Sequence, residues 1–155
     1  MSGRIDARLR ELGLELPRTT PPIANYVPYT ISGKQVIVSG QVSVRNGKPE
    51  YVGKLGGGLS IADGQEAAKL CALNIIAHLK TACGGDLDKV KRALRLGGFV
   101  NCTPDFTDMP PVVNGASDLM VAVFGEAGKH ARAAVGVSSL PLGVAVEVEA
   151  LFELV

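Results

Sequence analysis

The clearest alternation of apolar and polar positions lies near the end of the chain, over residues 144–154. Apolar side chains alternate there with Glu147, Glu149 and a third glutamate, and a period of two is typical of a half-buried β-strand. An apolar run over residues 131–137 precedes it, and a proline and a glycine break the chain between the two runs. The pattern predicts two strands that pair as an antiparallel hairpin.

Pairing in such a hairpin would place Arg132 opposite Glu149, with Glu147 as its diagonal neighbour on the same face. One interpretation is an ion pair on a hydrated sheet face, worth roughly 0–1 kcal/mol. The other is a site in which the arginine binds a substrate carboxylate and a glutamate transfers protons or holds water. The pattern favours the ion pair, because such pairs are common on hydrated sheet faces, but periodicity cannot separate the two interpretations.

Three segments have the spacing of apolar residues that is typical of helices. Residues 3–13 predict a short N-terminal helix, residues 61–83 a long helix that is apolar nearly all round, and residues 110–124 a second long helix that begins at a pair of prolines. Apolar residues around most of a helix indicate burial on more than one side.

The remaining segments predict strands and loops. Residues 26–39 read as a hairpin, and residues 90–100 as a strand with a bulge at Gly97–Gly98. The three prolines between residues 14 and 25 indicate an extended segment, and the glycines of residues 53–58 a loop that shapes the mouth of a pocket. This order predicts an α+β fold with two long helices on one face of a sheet. We expect a single domain over residues 1–155, of which 1–19 form an N-terminal helical extension.

Composition narrows the class of protein. Of the 155 residues, 46% are hydrophobic and 20% are charged, which is typical of a globular domain. The net charge is +1, and no basic cluster provides the footprint that nucleic-acid binding needs, so nucleic acid is not expected as a partner. No signal segment or membrane-spanning run is present in the sequence, which predicts a cytoplasmic protein without a membrane partner.

Cysteine and histidine residues do not have the spacing of a metal site. The three cysteines are Cys71, Cys83 and Cys102, and they predict buried, reduced side chains without a function. His78 and His130 lie far apart in the sequence, so neither a metal site nor another cofactor is expected.

Five short motifs occur together: A-R-A-A-V-G-V at 131–137, L-P at 140–141, V-E-V-E-A at 146–150, N-Y-V at 25–27 and V-S-G-Q at 38–41. In this combination they resemble the signature of the RidA/YjgF reactive-intermediate deaminase superfamily, over about residues 20–155. F-V-N at 99–101 and V-N at 113–114 fit that signature more loosely.

The resemblance implies a chorismate-mutase-like fold and a homotrimer with pockets between subunits. It also implies hydrolysis of enamine or imine acids, such as 2-aminoacrylate, to a 2-keto acid and ammonia. By the same resemblance, the substrate-binding residues would be Tyr26, Ser39, Gly40 and Asn114. Arg132 would bind the substrate carboxylate, and Glu147 would position or activate water.

Two departures from the family's compact members leave alternatives open. Ala134 occupies a position where many members have cysteine. The N-terminal helix and the loop at 53–58 are typical of a longer branch, often labelled as endoribonuclease of the L-PSP type. The alternatives to a deaminase are therefore a trimeric module that binds a small carboxylate without turnover, and a ribonuclease.

Overall fold

The structure, a computed structural model, describes residues 3–19 and 24–155. Within that part the elements are α1 (Arg4–Glu11), β1 (Tyr29–Ser32), β2 (Gln35–Val42), β3 (Val44–Arg45), β4 (Lys48–Pro49), α2 (Ile61–Ala82), β5 (Val90–Asn101), α3 (Met109–Phe124), β6 (Ala131–Val137) and β7 (Val146–Leu154). The predicted α+β class is confirmed. The extended segment predicted between residues 14 and 25 lies partly outside the described residues.

Five of the strands form one mixed sheet in the order β1-β2-β7-β5-β6. Strand β5 is parallel to β6 and antiparallel to β7, and β7 is antiparallel to β2. The predicted terminal hairpin is therefore wrong, because β5 lies between β6 and β7. Since α3 carries the chain from the end of β5 back to the start of β6, those two strands can pair in parallel. Arg132 consequently lies beside Leu96 rather than opposite Glu149.

Helices α2 and α3 cover one face of the sheet. Leu96 of β5 and Val148 and Phe152 of β7 are completely buried in the core on this side. Helix α2 begins with a capping box, in which Ser60 and Asp63 bond each other's backbone N–H groups. The many buried positions on this helix confirm the prediction that it is enclosed on more than one side.

The glycines Gly97–Gly98 do not form the predicted bulge. The pairing of β5 with β7 shifts earlier, between Val90 and Arg92 and between Ala93 and Arg95, and is regular through the two glycines. Gly98 instead admits α3, since a Cβ at this position would lie 2.6 Å from both methyl carbons of Val113. The glycine therefore serves the close packing of helix against sheet.

Helix α1 packs against α3 and against the turn at residues 87–89. Its N-terminus is capped from outside by Asp88, whose carboxylate accepts the backbone N–H groups of Arg4 at 2.8 Å and Ile5 at 2.9 Å. These two hydrogen bonds lower the pKa of Asp88. Ile5 and Leu9 are buried in the core, so α1 is an integral part of the domain.

The glycine-rich loop is anchored at its centre. Leu55 is fully buried, and its backbone N–H donates to the carbonyl of Asn101 at 2.9 Å. Lys54 beside it contributes to a cavity of 650 Å³ at the end of β6. None of the described helices combines the length and the apolar character that crossing a membrane requires.

Candidate functional site

Arg132 projects from β6 toward the helical layer, where α3 holds it. Its Nη1 donates to Asn114 Oδ1 at 2.8 Å and to Ser117 Oγ at 3.2 Å. Asn114 and Ser117 are three residues apart on α3, so they share one face of the helix. Neither its Nη2 nor its Nε has a hydrogen-bond partner in the described part of the chain, and no carboxylate there pairs with Arg132. The guanidinium is therefore oriented through one nitrogen while its other donors stay available to an anion.

Ser117 and His130 belong to this cluster although sequence reasoning did not select them. His130 Nε2 lies 2.9 Å from Ser117 Oγ, and His130 Nδ1 lies 2.6 Å from the carbonyl of Gly128. Because that carbonyl only accepts, Nδ1 carries the hydrogen, and in the neutral ring Nε2 accepts the Ser117 hydroxyl proton. Ser117 thus donates to His130 while it accepts from Arg132. His130 directly precedes β6, two residues before Arg132, and this H-x-R spacing at the start of a predicted strand was the available sequence signal.

Glu147 lies on β7 and has a carboxylate without a counter-ion. It is aligned with Phe99 of β5 and Val42 of β2, and no hydrogen bond or ion pair involves its side chain in the described residues. Burial raises its pKa, and the nearby carboxylate of Glu149 raises it further. Glu149 instead lies 3.6 Å from Arg95, which gives it an ion-pair role. A carboxyl group with a raised pKa and no cation beside it is suited to proton transfer.

The three other predicted residues lie near Glu147. Strand β2 is irregular between Val38 and Gln41, and Gly40 in this interval approaches the glutamate so closely that a Cβ would lie 2.8 Å from Glu147 Oε2. The Ser39 hydroxyl donates to the carbonyl of Val27 at 2.7 Å, which ties the preceding segment to the irregular strand. Tyr26 in that segment is 57% exposed and shares a cavity wall with Gly40.

The predicted residues therefore divide into two groups. Arg132 is aligned through Leu96 with Ala150, on the face that α2 and α3 cover. Glu147 is aligned through Phe99 with Val135, on the opposite face. Asn114 belongs with Arg132, whereas the residues of β2 and its approach belong with Glu147. Within one chain, the two groups cannot act on the same small molecule.

The cysteines are all buried. Burial raises the pKa of the Cys71 thiol, and burial is also the main reason that the pKa of Cys83 is raised. In the described ranges, 3–19 and 24–155, no three histidine, cysteine, aspartate or glutamate side chains are grouped so that they could hold a metal ion.

A family model described as "YjgF/chorismate_mutase-like, putative endoribonuclease" matches residues 6–154. The chain belongs to this family. The RidA/YjgF relationship that the sequence motifs indicated is thereby confirmed. Protein TCP17 of Trypanosoma cruzi is 50% identical over 99% of this chain and 96% of its own length.

Two solved structures of family relatives have the same architecture. Atu1372 of Agrobacterium tumefaciens, a protein of unknown function, is 48% identical with a TM-score of 0.90, over 97% of this chain and 94% of its own. A "putative endoribonuclease" of Shewanella oneidensis MR-1 is 39% identical with a TM-score of 0.93, over 98% of this chain and all of its own. This family member thus has the YjgF fold over nearly its entire length.

Proposed function

We propose that this YjgF family member is a hydrolytic deaminase of small enamine and imine acids, which it converts to the 2-keto acid and ammonia. Arg132 of one subunit binds the substrate carboxylate, and Glu147 of a neighbouring subunit in a homotrimer handles the water. The proposal rests on the placement of the Arg132 guanidinium and the Glu147 carboxylate on opposite faces of one sheet. Neither group has a counter-ion among the described residues.

Arg132 has the properties of a carboxylate receptor. A guanidinium presents a planar fork of donors that matches a carboxylate. The bonds from Nη1 to Asn114 and Ser117 fix the plane of the fork, and fixing it in advance reduces the entropy lost on binding. The substrate carboxylate would then accept hydrogen bonds from the guanidinium donors that have no partner in the described residues.

Glu147 can perform the proton transfers of the reaction. After the enamine is protonated on carbon, water adds to the imine carbon and gives a carbinolamine, from which ammonia leaves as the carbonyl forms. Glu147 would accept a proton from the water and return it to the departing nitrogen. Its raised pKa and its lack of a cationic partner suit a group that must both gain and lose a proton.

A second copy of the chain can bring the two groups together. The sheet face that carries Glu147 also exposes Ile37 at 49% and Val135 at 44%, and α2 and α3 lie on the other face. Exposed apolar side chains on an uncovered sheet face favour association. A cyclic trimer would cover this face. It would also place the exposed edge of the sheet at β6, which carries Arg132, beside Glu147 of the neighbouring subunit.

The chemistry of the two groups supports a deaminase better than a ribonuclease. RNA cleavage needs a general base, a general acid and stabilisation of the phosphate charge, and Arg132 with one glutamate supplies only part of that set. The alternative to test against the deaminase is a binding module without turnover. Such a module would need Arg132 but not the proton transfers of Glu147.

Turnover of freshly generated 2-aminoacrylate separates these functions. A pyridoxal-dependent enzyme releases 2-aminoacrylate from serine, and the appearance of pyruvate is followed with and without the protein. We expect acceleration of pyruvate formation over the uncatalysed rate. Calorimetric binding of pyruvate without any acceleration would establish the binding module instead, and cleavage of RNA with neither would overturn the proposal.

A further inference from the structure

The hydrogen bonds beside Arg132 form a chain that runs in one direction and ends at a backbone carbonyl. Arg132 Nη1 donates to Ser117 Oγ at 3.2 Å, and the Ser117 hydroxyl donates to His130 Nε2 across 2.9 Å. His130 Nδ1 completes the chain by donating to the carbonyl of Gly128 at 2.6 Å. Each inner group both accepts and donates, and in such a chain every bond strengthens its neighbours. We call this chain the His130 relay.

The far end of the His130 relay is anchored on α3, the helix that carries Ser117. Gly128 is buried, and a Cβ at this position would clash with the carbonyl oxygen of Met120 and lie 2.9 Å from the backbone nitrogen of Val121. A residue without a side chain lets the two backbones approach this closely. Because Met120 lies one turn after Ser117 on α3, the helix positions both Ser117 and the carbonyl that orients the His130 ring.

The hydrogen on the His130 ring decides which way the Ser117 hydroxyl points. With the hydrogen on Nδ1, the neutral ring offers Nε2 as an acceptor, so the hydroxyl hydrogen turns toward it and the lone pairs of Ser117 Oγ face Arg132. A hydrogen on Nε2, in the other neutral form or in the protonated ring, would point at the oxygen that Arg132 already uses. The form with the hydrogen on Nδ1 alone therefore favours the bond from Arg132.

This alignment matters because Arg132 lies on an edge strand. Strand β6 has a neighbour on one side only, Arg132 is exposed in the single chain, and a free arginine side chain has many rotamers to lose on binding. Asn114 and Ser117 both use Nη1, so the edge formed by Nε and Nη2 is left for a carboxylate. If the Ser117 hydroxyl turned away, Asn114 alone would hold Nη1, and the plane of the guanidinium could rotate.

We propose that His130 is a positioning residue for binding of the substrate carboxylate. Through Ser117 it holds Arg132 in the plane that the carboxylate meets. The inference rests on the proposed function, because it takes Arg132 as the carboxylate receptor. It separates binding from the proton transfers assigned to Glu147, so loss of the His130 relay should raise KM for 2-aminoacrylate and leave kcat unchanged.

Two amide variants separate the two halves of the His130 relay. His130→Gln places an amide oxygen where Nε2 lies and keeps an acceptor for Ser117, whereas His130→Asn places an amide nitrogen where Nδ1 lies and reaches only Gly128. Calorimetry of the full-length protein should show pyruvate affinity weakened about 3- to 10-fold in His130→Asn and equal to the parent's in His130→Gln. Lys129→Gln, which removes the neighbouring cation that pairs with Glu126, should leave pyruvate affinity unchanged.

A double-mutant cycle tests whether His130 acts through Ser117. Ser117→Ala already breaks the His130 relay, so adding His130→Asn should cause no further loss of pyruvate affinity. NMR of the protein with ¹⁵N-labelled histidine should show the hydrogen of His130 on Nδ1, and the Nε2 signal should shift in Ser117→Ala. A residue that only stabilised the fold would change the thermal midpoint but would not produce this coupling.

The outcomes distinguish this inference from the proposed function. The inference is overturned if His130→Asn binds pyruvate as the parent does, if the losses in Ser117→Ala and His130→Asn add in the double variant, or if Nε2 carries the hydrogen. None of these results bears on whether the parent turns over 2-aminoacrylate. Absence of turnover, with pyruvate bound and the two variants coupled, would overturn the deaminase and support the positioning role. A parent that binds no pyruvate would overturn both.

Discussion

Arg132 and Glu147 lie on opposite faces of the same sheet, on strands that flank β5 on either side. The pairings of Leu96 with Arg132 and of Phe99 with Glu147 establish this arrangement, because neighbouring residues on β5 alternate between the faces. A shared active site built from these two residues therefore requires two chains. The consequences for assembly, binding and turnover can be tested separately.

The first prediction concerns assembly. We expect a trimer at micromolar concentration, held by the uncovered sheet face. Val135→Lys should produce monomers, because it places a charge in the apolar interface, whereas Val121→Lys on the outer side of α3 should not. Both valines are exposed in the single chain, at 44% and 38%. Light scattering measures the masses, and a monomeric parent protein would contradict the prediction.

The second prediction concerns the carboxylate receptor. Arg132→Ala should weaken pyruvate binding about 10- to 150-fold, since each hydrogen bond to a charged group contributes roughly 1.5–3 kcal/mol. Arg132→Lys should not restore binding, because the ammonium lacks the planar fork. Isothermal calorimetry measures both, with Arg92→Ala as the control for loss of an arginine charge. Unchanged pyruvate affinity in Arg132→Ala would show that the carboxylate binds elsewhere.

The third prediction concerns proton transfer. Glu147→Gln should reduce turnover of 2-aminoacrylate about 10²–10⁴-fold while pyruvate still binds, because the amide retains hydrogen bonds but not basicity. In the proposed mechanism the base is the ionised carboxylate of Glu147. Since the pKa of Glu147 is raised, turnover should increase as the pH rises through that elevated pKa. This increase of turnover with pH should be missing in Glu147→Gln.

Glu149→Gln is the matched control for that experiment. It changes a glutamate two residues away on the same strand, which pairs with Arg95. We expect a much smaller effect on turnover than in Glu147→Gln. Equal losses in the two variants would remove the special role assigned to Glu147.

The fourth prediction concerns the support of Arg132 by α3. Ser117→Ala removes the hydroxyl that accepts from Arg132 and contacts His130. Pyruvate affinity should fall about 3- to 10-fold, the effect of one lost hydrogen bond, and Ser117→Thr should recover most of it. The His130 ring nitrogens should also change their NMR shifts in Ser117→Ala. A change in thermal stability with unaltered pyruvate affinity would instead indicate that Ser117 only stabilises the fold.

The fifth prediction concerns the thiols. Because burial raises the pKa of Cys71 and Cys83, few of these thiols are ionised at neutral pH. The native protein should react slowly with Ellman's reagent, and alkylation under native conditions should leave pyruvate binding intact. Rapid loss of binding on alkylation would assign a function to a cysteine.

The helices of this protein were predictable from the sequence because their signals are local. Ser60 accepts a backbone N–H in the first turn of α2, and the proline pair restricts the backbone in the first turn of α3. The spacing of apolar residues indicates which side of each helix is buried. The motifs at residues 131–150 likewise indicated the family and pointed to Arg132 and Glu147 as candidate site residues. Such motifs can be read from the sequence without knowing which strands lie beside them in the fold.

The partners of the terminal strands were decided only by the tertiary structure. Alternation shows that β7 has one buried face, but it contains no information on which strand pairs with each edge. Strand β5 lies between β6 and β7, and this placement separates Arg132 from Glu147 by a strand and by the thickness of the sheet. The contacts of Ser117 with His130 and of Gly98 with Val113 also join residues of different elements. The sequence by itself indicated Arg132 and Glu147 as candidate functional residues, whereas long-range packing decided that one chain places them on opposite faces of the sheet.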